Sequence, residues 1–243
     1  MKTVILLSGG IDSSTLLYHI AKTMETDVFP LSIFYGQKHE RELQAARDVA
    51  QMLGLARKHK IVDISSIKPL IDRSALVSDT EVPEGHYQAK SMEATVVPNR
   101  NMVMLSLAGA YAENIEATHI AYAAHAGDHA IYRDCRPQFA YSMKRVLGQA
   151  TGAKLMYPFI KMMKWDIVDI GLRLLVPYQM TWSCYNGREK ACGKCGTCIE
   201  RIEAFKKNLV EDPIEYEAPS LIVLPTLHSA IQPTAKAVQP LLL

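Results

Sequence analysis

The 243-residue sequence predicts an α/β fold, with an open, mostly parallel sheet flanked by helices and a small cysteine-containing element toward the C-terminal end. Three observations lead to this prediction. Short apolar runs alternate with amphipathic segments as far as Leu175, a Gly-Gly turn follows the first run, and four cysteines crowd between Cys184 and Cys198. Strands that are separated by helices pair in parallel, because a crossover must return the chain to the same sheet edge.

Each strand is predicted from a short apolar run. The first run is rich in β-branched residues, which suits a strand that is buried on both faces. The five predicted strands are Thr3–Leu7, Val28–Tyr35, Lys60–Ile64, Thr118–Ala123 and a short one near Lys154–Tyr157. In a sheet of this kind, ligands bind beyond the carboxyl ends of the strands.

The helices are predicted from apolar residues that share one side of a 3.6-residue period, as Leu16, Leu17 and Ile20 do in the first helix. Gly54 is expected to end the second helix as its C-cap. The six predicted helices are Ser13–Met24, Glu40–Leu53, Asn101–Tyr111, Pro137–Gly148, Lys164–Leu175 and Thr197–Leu209. The segment Ser65–Thr95 has no clear period, so we expect either an excursion or a flexible flap there.

Composition excludes several classes of protein. Apolar residues make up 49% of the chain and charged residues 21%, which is typical of a globular protein. The formal net charge is 27 − 25 = +2, so we expect no stable nucleic-acid binding. The first apolar run ends at Ser8-Gly9-Gly10, too early for a secretory signal, and the uncharged stretch Ala218–Ala235 contains three prolines, so no membrane segment is expected. These features favour a cytoplasmic protein.

The length fits one α/β domain with a small appendage, at about 150 residues per domain. We expect the α/β domain over residues 1–180, the cysteine element and a helix over 181–210, and a Pro-rich tail of unassigned structure over 211–243.

The loop after the first strand, Ser8-Gly9-Gly10-Ile11-Asp12-Ser13-Ser14, is typical of a phosphate-binding loop. Its two glycines allow a sharp turn that brings backbone N–H groups against an anion. Ser13 or Ser14 is expected to cap the following helix, whose N-terminal dipole also favours phosphate. Asp12 suits such a site if a magnesium ion bridges it to the phosphates. The sequence has neither a Gly-x-Gly dinucleotide fingerprint nor a Walker A loop.

Four cysteines, Cys184, Cys192, Cys195 and Cys198, have the spacing C-x7-C-x2-C-x2-C. Four thiolates can complete a tetrahedron around zinc and leave no open position, so this zinc is expected to be structural. An iron–sulfur cluster is the alternative, because successive C-x2-C spacings also occur in ferredoxin-like runs. Disulfides rank below both. The fifth cysteine, Cys135, is expected to be a buried free thiol rather than a nucleophile.

The loop resembles the PP-loop of the ATP pyrophosphatase superfamily, and the chain from Lys2 to Asn208 resembles the 7-cyano-7-deazaguanine synthases. The other matching stretches are Tyr35-Gly36-Gln37-Lys38-His39, Val97-Pro98-Asn99-Arg100-Asn101, Tyr132-Arg133-Asp134-Cys135-Arg136, Lys164, Thr181-Trp182-Ser183-Cys184-Tyr185-Asn186-Gly187, and the three later cysteines with Arg201. One departure is Arg133, where the family usually has proline. The resemblance implies the PP-loop fold, which is adenine nucleotide alpha hydrolase-like.

The resemblance also implies an activity. Such an enzyme converts 7-carboxy-7-deazaguanine and ammonia to 7-cyano-7-deazaguanine, through adenylated carboxylate and amide intermediates, with release of AMP and pyrophosphate. This is a ligase reaction of queuosine-type deazapurine biosynthesis. The implied cofactors are structural zinc and magnesium with ATP, and the family often forms homodimers.

Residue roles are expected from the matching motifs. The nucleotide-binding residues would be Leu7, Ser8, Gly9, Gly10, Ile11, Asp12, Ser13, Ser14, Thr15, Leu16 and Leu17. Lys164 and Arg201 are the candidate cations for stabilising phosphate or carboxylate, and Asp12 is the third candidate catalytic residue. Asp128 or Asp134 would accept the N1–H and 2-amino protons of a guanine-like edge, Arg136 would pair with the substrate carboxylate, and Arg100 would contact nucleotide or cap a helix. His39, His125 and His129 are expected to be ordinary polar residues.

Two other functions remain open at this point. A PP-loop tRNA-thiolating enzyme would use a cysteine such as Cys135 to carry sulfur and would need a surface for folded RNA. A non-enzymatic zinc-binding interaction module would retain only a degenerate loop, and the intact Ser-Gly-Gly-x-Asp-Ser sequence argues against it.

Overall fold

The computed structural model describes residues 1–38 and 40–217 and contains a five-stranded sheet. Its strands are β1 (Lys2–Leu6), β2 (Asp27–Phe34), β3 (Lys60–Asp63), β4 (His119–Ala121) and β5 (Lys154–Met156), in the order β3-β2-β1-β4-β5. Every neighbouring pair in this sheet is parallel. All five predicted strands are therefore confirmed, with ends that differ by one or two residues.

The predicted helices are also present. They are α1 (Ile11–Thr23), α2 (Arg41–Met52), α3 (Lys68–Ile71), α4 (Arg100–Asn114), α5 (Pro137–Thr151), α6 (Lys164–Arg173) and α7 (Gly196–Lys207), of which only the four-residue α3 was not expected. The predicted N-cap of the first helix is wrong. The first helix begins at Ile11 with Gly10 as its N-cap residue, so Ser13 and Ser14 lie inside the helix and do not cap it.

Two apolar layers cover the two faces of the sheet. Along β1, Val4 packs into the layer with α4 and α5, whereas Ile5 packs into the layer with α1 and α6. This alternation follows from the two-residue period of a strand. Both residues are fully buried, which confirms the expectation that the first strand is covered on both sides.

The segment between β3 and α4 is an excursion that packs against the cysteine element. Leu76, Val77 and Val82 are buried in a third apolar cluster, which also contains Trp182 and the four clustered cysteines. The packed core favours the excursion over the flexible flap, because these apolar side chains are buried in it. Only short helical stretches occur there, which explains the missing period.

The strand order places a topological switch point between β1 and β4, because the chain proceeds toward β3 on one side and toward β5 on the other. Open α/β sheets bind ligands at such a point, beyond the carboxyl ends of the strands. Here β1 leads into the Gly-Gly loop, and β4 leads into Tyr122, Ala123 and Ala124. The predicted phosphate loop therefore lies where the topology favours a ligand.

Among residues 1–38 and 40–217, no helix is both long enough and apolar enough to cross a bilayer. The greater part of the predicted Pro-rich tail, residues 218–243, lies outside the described residues, as does His39.

A partly buried histidine beside the sheet predicts a dependence of stability on pH. Ser32 donates a hydrogen bond to the Leu7 carbonyl, and His59 Nε2 lies 2.7 Å from Ser32 Oγ. Burial, aided by Arg47, lowers the pKa of His59 to about 4. The unfolded chain then binds a proton at His59 more readily than the folded chain. The contribution of neutral His59 to the free energy of unfolding is therefore complete above pH 6.5 and is lost as the pH falls toward 4. We expect the urea midpoint to fall over that interval.

His59→Gln is expected to flatten this part of the pH profile, as measured by urea unfolding at several pH values. The matched control is His86→Gln, because the His86 side chain is 47% exposed. If His59→Gln, like the control, keeps the wild-type dependence of the urea midpoint on pH, His59 is not the source of that dependence.

Candidate active site and metal centre

The loop after β1 has a conformation that its glycine imposes. Gly9 has φ +86°, and a Cβ at this position would lie 2.2 Å from the Glu42 carbonyl oxygen and 2.7 Å from the Ala46 nitrogen. No side chain fits between the loop and α2. The loop is closed by Ser13, whose Oγ accepts from the Ser8 amide at 3.1 Å and lies 3.0 Å from Ser8 Oγ. The first-turn N–H groups of α1 have no partner within the helix, which suits an anion at this end.

A second segment supports the loop from behind. The Trp182 amide donates to the Gly9 carbonyl at 3.0 Å, and Tyr178 OH lies 2.8 Å from Thr15 Oγ1. Gly171 of α6 allows this approach, because a Cβ there would lie 1.8 Å from Tyr178 OH. The stretch from Tyr178 to Trp182 therefore fixes both the turn and the first helix that follows it.

A group of charged side chains lies at the start of α1. Lys164, the first residue of α6, is 2.5 Å from Asp12 Oδ2 and 3.3 Å from Glu200 Oε2 of α7. The buried His125 adds its Nε2 at 3.7 Å from Asp12 and 3.4 Å from Asp128. Three helices and the loop after β4 thus meet at one point.

The ionisation of this group follows from pairing within a low-dielectric environment. Burial alone would raise the pKa of Asp12, but Lys164 and His125 outweigh it and hold that pKa below its usual range. Burial would lower the pKa of Lys164, yet Asp12 and Glu200 raise it. For Glu200, burial prevails and raises the pKa. Lys164 is therefore a permanent cation, and Asp12 is ionised at neutral pH.

Asp12, Asp128, Lys164 and Glu200 border a cavity of about 220 Å³ at the switch point. The loop forms one end, with Ser8, Gly10, Asp12 and Ser13 in its wall. The cavity is also lined by a group of polar and aromatic residues, here called the aromatic wall: Tyr35, Arg100, Tyr132, Trp182 and Tyr185. Such a cavity, apolar at the sheet and polar at a few points, is typical of a site for a small molecule.

The aromatic wall is tied together by hydrogen bonds. Arg100 Nη1 donates to Tyr35 OH at 3.2 Å, and Tyr132 OH lies 2.7 Å from Thr95 Oγ1 and 3.4 Å from Tyr185 OH. Glu42 also borders the cavity, and burial raises its pKa to about 7 although Arg100 opposes this. This wall therefore offers a fixed guanidinium, several hydroxyl groups and a carboxyl that titrates near neutrality.

The cavity collects only part of the residues that the sequence singled out. Of the predicted nucleotide segment, Leu7, Ser8, Gly10, Ile11, Asp12 and Ser13 line it. Gly9 packs against α2 instead, Ser14 is buried, Thr15 bonds to Tyr178, and Leu16 and Leu17 lie in the apolar core. Thr15, Leu16 and Leu17 are therefore packing residues, because α1 turns them away from the loop.

Lys164, Arg100 and Asp128 lie on the cavity as predicted, but Asp134 and Arg136 do not. Asp134 Oδ2 accepts from the Asn101 amide at 2.9 Å and so satisfies the first turn of α4. Arg136 donates through Nε to the His129 carbonyl at 2.8 Å. In the structure both residues hold the loop between β4 and α5, and their substrate-binding roles stay predictions.

Arg201 borders the cavity but has no donor to spare. Its guanidinium donates to both carboxylate oxygens of Asp212, at 2.7 and 2.9 Å, to the Tyr178 carbonyl at 3.0 Å, and to the carbonyl and hydroxyl of Thr181. All five N–H groups are thereby used, since a guanidinium has five. The role of Arg201 in stabilising phosphate or carboxylate stays a prediction. In the structure its guanidinium holds the segment that supports the loop.

Breaking the Arg201–Asp212 ion pair is expected to destabilise the fold. Asp212→Asn removes a partner that is 6% exposed from a guanidinium that is 1% exposed, which costs about 3 to 5 kcal/mol for a buried pair. The measurement is the free energy of unfolding in urea. The control is Glu217→Gln at the exposed Arg188–Glu217 pair, where a change of no more than about 1 kcal/mol is expected. Equal losses in the two variants would contradict the assigned role.

Sequence reasoning did not single out Glu42, Tyr122 and Glu200, and it interpreted His125 as an ordinary polar residue. Asp12 Oδ1, Tyr122 OH, His125 Nε2 and Glu200 Oε1 are buried and make no hydrogen bond to the described residues. Glu200 precedes Arg201 in a matching motif, which is the only local signal for it. The other three depend on contacts between distant parts of the chain.

The four clustered cysteines form a compact group. Their sulfur atoms lie within 4.8 Å of one another, and all four residues are buried. Backbone amides point at two of the sulfurs: Asn186 and Cys192 donate to Cys184 Sγ, and Lys194 and Cys195 donate to Cys192 Sγ, at 3.3 to 3.4 Å. Such donors stabilise thiolates.

These residues fit a metal ion. With Zn–S bonds of about 2.3 Å, tetrahedral ligands lie roughly 3.8 Å apart, and Cys192 Sγ and Cys198 Sγ are 3.9 Å apart. A bound metal would join the Trp182–Gly187 loop to the start of α7. The prediction of a four-cysteine metal site is confirmed in its geometry. The same loop also carries the amide that holds Gly9, so the metal centre and the phosphate loop share one support.

Comparison with known proteins gives a consistent family match. A family model described as queuosine biosynthesis protein QueC matches residues 2–209. The 7-cyano-7-deazaguanine synthase of Alteromonas mediterranea is 54% identical over 216 residues, which cover 88% of this chain and 98% of that protein. The 7-cyano-7-deazaguanine synthase of Caldicellulosiruptor bescii is 51% identical over 219 residues, covering 89% and 98%.

Among solved structures, the NMN synthetase of Francisella tularensis superposes with a TM-score of 0.51 at 16% identity, covering 86% of this chain and 77% of that one. At this identity the likeness concerns the fold alone.

Proposed function

Because the chain belongs to the family of the queuosine biosynthesis protein QueC, we propose that it uses ATP and ammonia to convert 7-carboxy-7-deazaguanine to 7-cyano-7-deazaguanine. The family is enzymatic, and its members are carbon–nitrogen ligases. The observation that carries the detailed proposal is the Asp12–Lys164 pair, which lies at the phosphate loop inside the switch-point cavity.

The chemistry requires activation by ATP. A carboxylate is a poor electrophile because its negative charge repels nucleophiles and oxide does not leave. Attack of the carboxylate oxygen on the α-phosphorus gives an acyl adenylate and pyrophosphate. Ammonia then displaces AMP to give the amide. Attack of the amide oxygen on a second ATP and loss of AMP leave the nitrile. The two rounds consume two ATP and release two AMP and two pyrophosphate.

The residues at the loop end suit the adenylation steps. Ser8, Gly10 and the first-turn amides of α1 would hold the pyrophosphate portion of ATP. Lys164 would stabilise the negative charge that develops at the α-phosphate, since its ion pairs fix the ammonium group and keep it charged. Asp12 would hold magnesium through Oδ1, which has no partner among the described residues. Magnesium would neutralise phosphate charge there.

The aromatic wall suits the deazapurine. Tyr35 and Tyr185 line the cavity with aromatic rings and hydroxyl groups, and the guanidinium of Arg100 donates to Tyr35 OH. Arg100 would therefore take the carboxylate-binding role that was expected of Arg136. Asp128 remains the candidate for the guanine-like edge, because Asp134 is occupied at the start of α4.

Zinc is the metal we propose for the four cysteines. Four thiolates fill its tetrahedral shell, so zinc would act structurally and would leave no position open for substrate. The homodimer stays a prediction.

A tRNA-thiolating enzyme is not favoured. Burial, together with Asp128 and Asp134, raises the pKa of Cys135, which is the one cysteine outside the cluster. A sulfur carrier needs an accessible thiolate with a depressed pKa. We therefore expect Cys135→Ser to retain turnover of the free base.

The direct test is mass spectrometry of the product after incubation with ATP, magnesium, ammonium and 7-carboxy-7-deazaguanine, with AMP measured in parallel. We expect the nitrile and two AMP per nitrile. AMP release that does not depend on the base, or an amide that never proceeds to nitrile, would refute the proposal.

A further inference from the structure

We propose that a small cavity beside the main one is the binding site for the nitrogen donor, held there as an ammonium ion by Glu200 and Asp128. This inference rests on the proposed function, because it names the place where one of its substrates binds. It concerns binding of a monovalent cation and involves residues of α7 and of the loop after β4.

The small cavity has a volume of about 20 Å³. A single water-sized molecule needs about 10 to 15 Å³ by the same measure, so there is room for one ammonium ion and not for a larger amine. The residues that line both cavities are Asp128, Tyr132, Tyr185, Thr197 and Glu200. The outer wall is completed by Tyr87, Met92, Gly127 and Gly196. The two cavities therefore share a wall made almost entirely of polar side chains.

Glu200 provides an acceptor that nothing in the fold satisfies. The residue is 5% exposed, and its Oε2 faces Lys164 at 3.3 Å. The other oxygen, Oε1, is buried and has no partner among the described residues. A Cβ on Gly127 would lie 2.5 Å from Oε1, so this oxygen lies beside Gly127 in the wall of the small cavity. A buried carboxylate oxygen without a donor is costly, which indicates a missing donor.

The free polar atoms of the small cavity favour a cation over water. Glu200 Oε1 has no donor among the described residues, and Asp128 lines the same cavity. Ammonium has four N–H donors and no acceptor, so it matches an environment in which the free polar atom is an acceptor.

The position also suits the reaction. The bound ammonium loses one proton to water and keeps the electron pair of that N–H bond. This pair forms the C–N bond to the acyl adenylate in the main cavity, while the C–O bond to AMP breaks and its electron pair leaves with AMP. The nitrogen then loses a second proton to water and the amide remains.

The test uses Gly127→Ala, whose methyl group would enter the space beside Glu200 Oε1. The control is Gly148→Ala on α5, where the nearest atom to a Cβ is 4.0 Å away. Two measurements separate the steps: ATP–pyrophosphate exchange with 7-carboxy-7-deazaguanine in the absence of ammonium, and the KM for ammonium in nitrile formation. We expect Gly127→Ala to retain exchange and to raise the KM for ammonium at least about tenfold, as for loss of one charge-assisted hydrogen bond. The control should change neither.

Loss of exchange in parallel with nitrile formation would assign Gly127 a structural role and overturn the inference, as would an unchanged KM for ammonium. A wild-type enzyme without exchange and without nitrile would instead refute the proposed function itself. If Gly127→Ala does not fold, thallium(I) binding to the wild type tests the site without a substitution. Thallium(I), a monovalent cation of similar size, should give an anomalous peak in the small cavity of wild-type crystals, and absence of that peak would contradict the site.

Discussion

Asp12→Asn is expected to lower the rate of base-dependent AMP formation by at least about 10²-fold, the loss typical of one preorganised electrostatic partner in an active site. The substitution keeps the size of the side chain but removes the charge that pairs with Lys164 and that would hold magnesium. Pyrophosphate release at saturating ATP measures this directly. We expect kcat to fall more than the KM for ATP rises, because the charge acts on the transferring phosphate.

The free energy of unfolding of Asp12→Asn should fall as well, which the sequence alone does not indicate. The loop contains no other charge in the sequence, so Asp12 reads as a purely functional residue. In the fold it is the main partner of a cation whose side chain is 12% exposed, and removal of one member of a buried pair costs about 3 to 5 kcal/mol. A double-mutant cycle with Lys164→Met is expected to give a coupling energy of about 1 to 3 kcal/mol.

The same cycle separates catalysis from folding. Each single variant should lose turnover, and the double variant should be no worse, since the two groups act as a unit. Asp169→Asn is the matched control, because its partner Arg173 also lies on α6 but the pair is 51% and 41% exposed. In this control we expect no loss of turnover, and the free energy of unfolding should fall by at most about 0.5 kcal/mol. Full turnover in Asp12→Asn would remove the loop from the mechanism.

Local patterns were sufficient to predict the scaffold and the two motifs. The strands and helices follow from apolar periodicity, and the loop and the cysteine cluster are contiguous stretches whose chemistry is visible in one window of the sequence. The glycine at position 9 illustrates this, because the turn that it suggests is the one observed, with φ +86°. The prediction that a serine caps α1 was wrong, because α1 starts two residues earlier than its apolar period indicates.

Contacts between distant segments could not be predicted in this way. Lys164 and Glu200 are 36 positions apart, and nothing in either neighbourhood indicates that they share an ion pair. Arg201 was expected to stabilise phosphate or carboxylate because it lies in a matching motif, whereas its partner Asp212 lies in the stretch interpreted as a tail. A motif marks a residue as important, but only the fold shows whether its donors are free or already used.

Cys195→Ser is expected to remove the metal from the cluster and to unfold the region around it. Three thiolates and a hydroxyl bind zinc far less tightly than four thiolates, and binding of a structural zinc can supply about 10 kcal/mol or more of folding free energy. The cluster is also part of the third apolar core, with Trp182 and Val77. We expect about one zinc per chain in the wild type and almost none in the variant by metal analysis, together with a lower thermal midpoint.

Loss of the metal should then reach the active site, because Trp182 donates the hydrogen bond that holds Gly9. The control is Cys135→Ser, which changes a cysteine that is buried but does not belong to the cluster. This variant should keep its zinc, and under the proposed function it should also keep its turnover of the free base. Detection of iron with acid-labile sulfide in the wild type would show that the cysteines hold an iron–sulfur cluster instead of zinc. Retention of zinc by Cys195→Ser would show that three thiolates hold the ion, and the fourth position would then be open to a ligand.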